Sequence, residues 1–199
     1  MRLAVLLSGR GSNFQAIHEA IERDALPAAI VCVISNRPDA PGLQRAREYG
    51  YAAHAIDHKR FASRAAHETE VLRVLAEARP DFIALAGYMR LLGAEFIARW
   101  RHRILNIHPS LLPAFPGVDA QAQAIAHGVK VAGCTVHFVD ENLDAGPIVV
   151  QRAIDVREDD DASTLAARIL VEEHAAYVEA LRALATRAWR IEGRRVVFG

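Results

Sequence analysis

The sequence predicts an α/β fold with a mostly parallel sheet and flanking helices, and three observations carry that expectation. Continuous apolar runs of strand length alternate with segments whose apolar residues recur at helical spacing. The first run opens directly into a Gly-rich turn and a helix, at Ser8-Gly9-Arg10-Gly11-Ser12-Asn13. Polar groups also follow at once on a later apolar run, at Asn106-Ile107-His108-Pro109-Ser110-Leu111-Leu112-Pro113. In an open parallel sheet, ligands bind beyond the carboxyl ends of the strands, where both polar stretches are expected to lie.

Composition narrows the function. With 199 residues, 52% of them hydrophobic, the chain suits one domain or two closely fused halves, with a sizeable core. Lys plus Arg and Asp plus Glu balance at 24 each, which argues against a nucleic-acid or membrane partner and favours a small anionic metabolite. Cys32 and Cys134 lie in separate apolar runs outside any Cys-x-x-Cys pair, and read as buried free thiols. The apolar stretch Leu3 to Leu7 is too short for a signal peptide or a membrane span, so the expected location is cytoplasmic. The nine His residues show no metal-ligand spacing with Cys or acids, so no metal is expected.

Leu3 to Leu7 reads as a buried strand, and Phe14, Ile17 and Ile21 follow at helical spacing. Between them, the amides of Gly11, Ser12 and Asn13 at a helix start make a site for a phosphate. The alternative is a structural turn capped by Asn13. Phe14 stands where a dinucleotide fingerprint needs its third glycine, and Ser35-Asn36-Arg37 where it needs an acid, so that reading fails. Alternation continues with strands over Ala28 to Ile34, Ala52 to Ile56 and Phe82 to Leu85, and helices over Gly42 to Tyr49 and Ser63 to Ala78. Ser63 can cap its helix. Arg64 then sits where the helix dipole disfavours a cation, which either an anionic ligand or plain solvation would explain. After the fourth strand, Met89-Arg90-Leu91-Leu92 could line a flat pocket or merely connect strand to helix.

Arg103-Ile104-Leu105 reads as a strand ending at Asn106, with Asn106 and His108 sharing one face. Gln121 to His127 reads as a short helix, and Gly133 to Val139 as a half-buried strand placing Thr135, His137 and Val139 on one side. The acidic loop Asp140 to Gly146 leads to a strand over Pro147 to Ile154, a pair that need not be parallel. Asp144 matters only if it folds back onto His108. The last long helix, after three consecutive acids, carries Leu165, Ile169, Tyr177 and Leu181 on one face, with Glu173 in its middle. A carboxylate there needs a cation or a ligand donor. The tail, Trp189 to Phe198, reads as a hairpin turning at Gly193.

Taken together, Ser8-Gly9-Arg10-Gly11-Ser12-Asn13, Asn106-Ile107-His108-Pro109-Ser110-Leu111-Leu112-Pro113, and Gly133-x-Thr135-Val136-His137-Phe138-Val139 with Asp144-x-Gly146-Pro147 resemble the motifs of the phosphoribosylglycinamide formyltransferases, in the expected order. The resemblance implies one Rossmann-like formyltransferase domain over 1–199, with a phosphate-binding half over about 1–100 and a catalytic and folate-binding half over about 101–199. It implies formyl transfer from 10-formyltetrahydrofolate, a co-substrate, to an amine of a ribonucleotide, by a monomer or weak homodimer acting on small molecules. By the same resemblance Asn106, His108 and Asp144 are catalytic, with His137 in support. Gly11, Ser12, Asn13 and Glu173 hold the ribonucleotide. Arg64, Met89, Arg90, Leu91, Leu92, Asn106, Asp140, Glu141, Asn142 and Leu143 hold the folate. The chain departs from the family at Ala114, where a basic residue is common, and at Asp119, near a usual His. Two other classes compete, a formyl-folate hydrolase and a non-catalytic module that binds a phosphorylated ligand.

The chemistry needs few parts. A neutral amine attacks the formyl carbon, an oxyanion develops, and a proton passes from the amine to the departing folate nitrogen. Asn106 and His108 are expected to serve the oxyanion. An Asp beside the imidazole would orient it and favour its protonated form, and would relay the proton directly or through water.

Overall fold

The computed structural model describes all 199 residues and divides into two compact units, Met1–Leu105 and Asn106–Gly199. The first unit contains β1 (Arg2–Leu7), α1 (Ser12–Glu22), β2 (Ala29–Ser35), α2 (Pro41–Glu48), β3 (Ala53–Ala55), a 3-10 turn (His58–Arg60), α3 (Arg64–Ala78), β4 (Phe82–Leu85) and α4 (Ala94–Arg99). Its strands pair in parallel in the order β3-β2-β1-β4. Every residue of β1 after Arg2 is buried, the pattern of a strand covered on both faces. Phe14 and Ile17 of α1 are fully buried, each contributing about 1.5–3 kcal/mol of burial free energy.

β5 (Ile104–His108) carries the chain into the second unit. That unit contains α5 (Ala120–Ala126), β6 (Val131–Phe138), β7 (Ile148–Asp155), α6 (Ala162–Thr186), β8 (Trp189–Glu192) and β9 (Arg195–Phe198). β6 and β7 pair antiparallel, β9 joins β7 in parallel, and β8 and β9 form the hairpin, with Gly193 at φ 61° in its turn. β7 alternates between half-buried and exposed, as a strand with one wet face does. α6 buries Leu165, Ile169, Tyr177 and Leu181 together with Glu173, and Asp161 and Thr164 close a capping box at its start.

Most boundaries fall within one or two residues of expectation, and two differences bear on function. β5 does not end at Asn106 but continues through His108, so both polar side chains stand on the strand itself. α4 escapes the sequence pattern because it has only six residues and no side-chain cap at Gly93. No helix is long and apolar enough to cross a membrane. Both cysteines are buried and free, and burial pushes the Cys32 thiol up to about 11 and the Cys134 thiol up to about 12.

Candidate active site

The second unit brings four expected residues together. Asp144 does fold back onto His108, with Oδ2 lying 3.5 Å from His108 Nδ1 and Oδ1 3.8 Å from His137 Nε2. His137 is buried on β6, and burial lowers its proton affinity more than the Phe138 carbonyl and the Asp144 charge raise it. Its ring is therefore neutral near pH 7. Nδ1–H donates to the Phe138 carbonyl at 2.9 Å, which leaves the lone pair on Nε2. Asn106 Nδ2 lies 3.3 Å from that nitrogen and donates to it. One amide hydrogen thus fixes the Asn106 side chain.

The orienting partner of His108 is not the expected one. Its Nε2–H donates to the main-chain carbonyl of Phe115 at 2.8 Å, while the 3.5 Å gap to Asp144 is too long for a good hydrogen bond. Both ring nitrogens face acceptors, so only the doubly protonated imidazole offers a donor to each. Asp144 is itself held by the Gly117 amide, which donates to Oδ2 at 2.8 Å. These two main-chain groups, the Phe115 carbonyl and the Gly117 amide, have no counterpart in the sequence reading.

The loop that supplies them is fixed from both sides. Thr135 Oγ1 donates to the Ser110 carbonyl at 2.7 Å and accepts from the Leu112 amide at 3.0 Å. Gln151 Nε2 reaches the Leu112 carbonyl at 2.9 Å and Thr135 Oγ1 at 3.0 Å. Ser110 Oγ donates to the Ala114 carbonyl at 2.5 Å. A Cβ at Gly133 would lie 2.0 Å from the Arg152 carbonyl oxygen, and one at Gly146 would lie 1.9 Å from the Phe138 carbonyl oxygen, so both motif glycines permit close backbone approach.

The first unit builds the Gly-rich turn differently. Gly11 precedes α1 at φ 71°, in the left-handed region, and its Cα side faces Gly42, whose Cα would lie 3.0 Å from an added Cβ. The cap position of α1 is Gly11, with no side-chain cap hydrogen bond, so Asn13 is not the cap. Ser8 Oγ donates to Asn36 Oδ1 at 2.5 Å and accepts from the Met89 amide at 2.8 Å. Ser8 therefore ties the turn to the segment after β4.

That segment is exposed as expected at Met89 (78%) and Leu91 (66%), with Arg90 and Leu92 half-buried. The Met89 amide, however, is taken by Ser8 rather than offered to a ligand. Ser63 Oγ does cap α3, accepting from the Ala66 amide at 3.1 Å. Arg64 finds a protein partner in Glu68, Nε to Oε1 at 3.8 Å, so a ligand is not required to explain it. In the second unit, Glu141, Asn142 and Leu143 are exposed and Asp140 half-buried, with Asp140 Oδ1 accepting from the Asn142 amide at 2.9 Å. Glu173 is buried on α6, while its neighbours Glu172 and Glu179 engage Arg152 at 3.1 and 2.9 Å. An open cleft of about 600 Å³ lies in the first unit, lined by Arg37, Pro38, Asp39, Asp57, His58 and Lys59. Arg37 pairs there with Asp39 at 3.1 Å, and none of the candidate catalytic or ligand-binding residues lines it.

A family described as formyl transferase matches residues 1–181. Phosphoribosylglycinamide formyltransferase of Escherichia coli is 41% identical over 177 residues, covering 89% of this chain and 84% of that protein. The trifunctional purine biosynthetic protein adenosine-3 of Drosophila melanogaster is 50% identical over 185 residues, or 92% of this chain, but the chain spans only 14% of its length. A crystal structure of glycinamide ribonucleotide transformylase 1 from Symbiobacterium toebii superimposes with a TM-score of 0.96 and 48% identity, covering 100% of this chain and 93% of that one.

Proposed function

The chain belongs to the formyl transferase family, and on that premise we propose that it moves the formyl group of 10-formyltetrahydrofolate to the amine of 5-phosphoribosylglycinamide in de novo purine biosynthesis. The products are phosphoribosyl-N-formylglycinamide and tetrahydrofolate. The observation that carries this reading is the Asn106, His108 and Asp144 group at the end of β5, tethered by His137, Phe115 and Gly117. The nature of the acceptor follows from the relatives, and the uncapped start of α1 supports it as a place for a phosphate.

The amine attacks the formyl carbon, and its electron pair forms the new C–N bond while the carbonyl pair moves onto oxygen. The free hydrogen of Asn106 Nδ2 and the Nδ1–H of a protonated His108 donate to that oxyanion. His108 Nε2 stays on the Phe115 carbonyl throughout, so the ring does not rotate as charge develops. Asp144 balances the imidazolium, and its Oδ1, the oxygen not bound by Gly117, takes the amine proton directly or through water. Collapse breaks the bond to the folate nitrogen, which receives that proton. No covalent enzyme intermediate is needed.

Enzymes of this family use formyltetrahydrofolate as co-substrate. The residues assigned to it here are Arg64 and Met89 to Leu92 in the first unit and Asp140 to Leu143 in the second, with Asn106. Exposed Met89 and Leu91 in the first unit, and Leu143 at 59% exposure in the second, are each apolar side chains suited to contact a flat ring. Gly11, Ser12, Asn13 and Glu173 are assigned to the ribonucleotide. The protein is proposed to act on small molecules in the cytoplasm, as a monomer or weak homodimer without metal, nucleic-acid or membrane partners, consistent with its balanced charge.

The test is to mix protein with 10-formyltetrahydrofolate, with and without the ribonucleotide, and follow folate release. Release that depends on the ribonucleotide supports transfer. Equal release in both mixtures means hydrolysis, and no release in either means a binding module.

A further inference from the structure

The segment 114–119 holds both members of the His108 and Asp144 pair through main-chain groups two residues apart, the Phe115 carbonyl on His108 Nε2 and the Gly117 amide on Asp144 Oδ2. The separation of the two side chains is therefore set by the conformation of this segment. That conformation is not self-sustaining. Phe115 at φ 52°, Gly117 at φ 85° and Asp119 at φ 56° lie in the left-handed region, and for the two non-glycines this persists only where surrounding contacts enforce it. Phe115 is half-buried with its ring 5.2 Å from that of His127, but Val118 is 80% exposed, so packing does not hold the far end of the segment. There hydrogen bonds must.

On the amino-terminal side, Ser110 supplies one through the Ala114 carbonyl. On the other side the contact comes from outside every motif. Gln123 Nε2 donates to the Val118 carbonyl at 2.9 Å and lies 3.5 Å from the Pro116 carbonyl, so its amide bridges the residues that flank Gly117. Gln123 stands on α5, which is anchored by buried Ala120 and Ala124, and its main-chain amide bonds the Asp119 carbonyl at 3.0 Å. The donor is thus presented from a rigid element.

The geometry points to Gln123 as a positioning residue that sets the His108 to Asp144 spacing through the main chain of residues 115–118. It touches neither substrate nor the reacting atoms. This inference rests on the formyl-transfer reading, in which that pair carries the imidazolium and the proton.

Gln123→Met keeps the length and helix propensity and removes the donor, whereas Gln123→Lys restores a donor at the same place. Wild type and both variants are measured for ribonucleotide-dependent folate release, for kcat and KM of each substrate, and for melting temperature. The expected result for Gln123→Met is a kcat lower by roughly 10- to 100-fold, since small misplacements of reacting groups cost this much, with both KM values and the melting temperature near wild type. Gln123→Lys is expected to recover most of that loss. A wild-type kcat in Gln123→Met, equal losses in Met and Lys, a loss confined to KM, or a fall in kcat explained by a lower melting temperature would each overturn the role of Gln123 while wild-type transfer stands. Absence of transfer in the wild type would instead overturn the reading on which the inference rests.

Discussion

The end of β5 and the turn after β1 both present polar groups beyond a buried strand, yet they are built from opposite materials. At β5 the groups proposed to work are side chains, and the main chain holds them, through Phe115 on His108 and Gly117 on Asp144. After β1 the groups proposed to bind are main-chain amides, and the sequence contributes the absence of side chains at Gly11 and Gly42, whose backbones nearly touch. The first arrangement suits charge that appears only during reaction. The second suits a charge that is always there, such as a phosphate. Each makes a different kinetic parameter vulnerable.

The sharpest way to break this contrast is at the β5 end. His108→Ala and Asp144→Asn remove the imidazolium or its counter-charge, and each is expected to lower kcat roughly 10²–10⁴-fold, the usual range for general acid–base groups, with acceptor KM little changed. Steady-state kinetics at saturating folate checks this. A fall in acceptor affinity with intact kcat would place both residues in binding.

Glu173→Gln tests whether the second unit also contributes to acceptor binding. The buried carboxylate lies close enough to Cys134 for its charge to help raise that thiol, so it belongs to the interior of α6 as much as to any ligand. Acceptor affinity is expected to fall about tenfold, the loss of one charge-assisted hydrogen bond, while the melting temperature stays within a few degrees. Titration beside thermal melting decides it, and a large drop in melting temperature with unchanged affinity would make Glu173 structural.

The smallest expected effect is on stability. Burial lowers the proton affinity of His137 and His67 below the ordinary 6.5, so below that pH the unfolded chain binds more protons than the folded one. Their contribution is complete above 6.5 and is lost as pH falls toward the depressed folded values. The cysteines act in the opposite sense. Cys32 and Cys134, raised from 9.0 to about 11 and about 12, keep their protons in the fold while the unfolded chain loses them. Stability is therefore expected to be flat between 6.5 and 9.0 and to decline on both sides, by up to about 1.4 kcal/mol per pH unit for each such group. Denaturant melts across pH measure this, and a maximum below 6.5 would contradict it.

The two regions also differ in how far the sequence discloses them. The turn after β1 is local, so the glycines, the helix start and the preceding strand all fall within one short window, although the alternative of an Asn13 cap on α1 is not what forms. At β5, Asn106 and His108 are legible as neighbours on one face of a strand, but their partners come from elsewhere. The approach of Asp144 to His108 depends on the return of a loop that pattern alone leaves solvated. The tautomer of His137, and so the direction of the Asn106 amide, depends on which carbonyl its Nδ1 meets. Main-chain partners are illegible in principle, because every residue carries the same carbonyl and amide. Gly133 stands out by its place in a motif, but its reason, the Arg152 carbonyl against its Cα, requires the β6 and β7 register.

The division of labour between the two regions is tested most directly by the acceptor-concentration dependence of formyl transfer in Ser12→Asp. An acid in the first turn of α1 favours the helix, so the fold is retained, while a negative charge now stands at the proposed phosphate position. Two like charges about 4 Å apart repel by roughly 4 kcal/mol near a protein surface, well over the 1.4 kcal/mol of a tenfold change. The predicted result is an acceptor KM raised about tenfold or more, with the wild-type rate recovered at saturating acceptor. An unchanged acceptor KM with a lower saturating rate would contradict the account, because the turn after β1 would then serve the reaction rather than hold the acceptor.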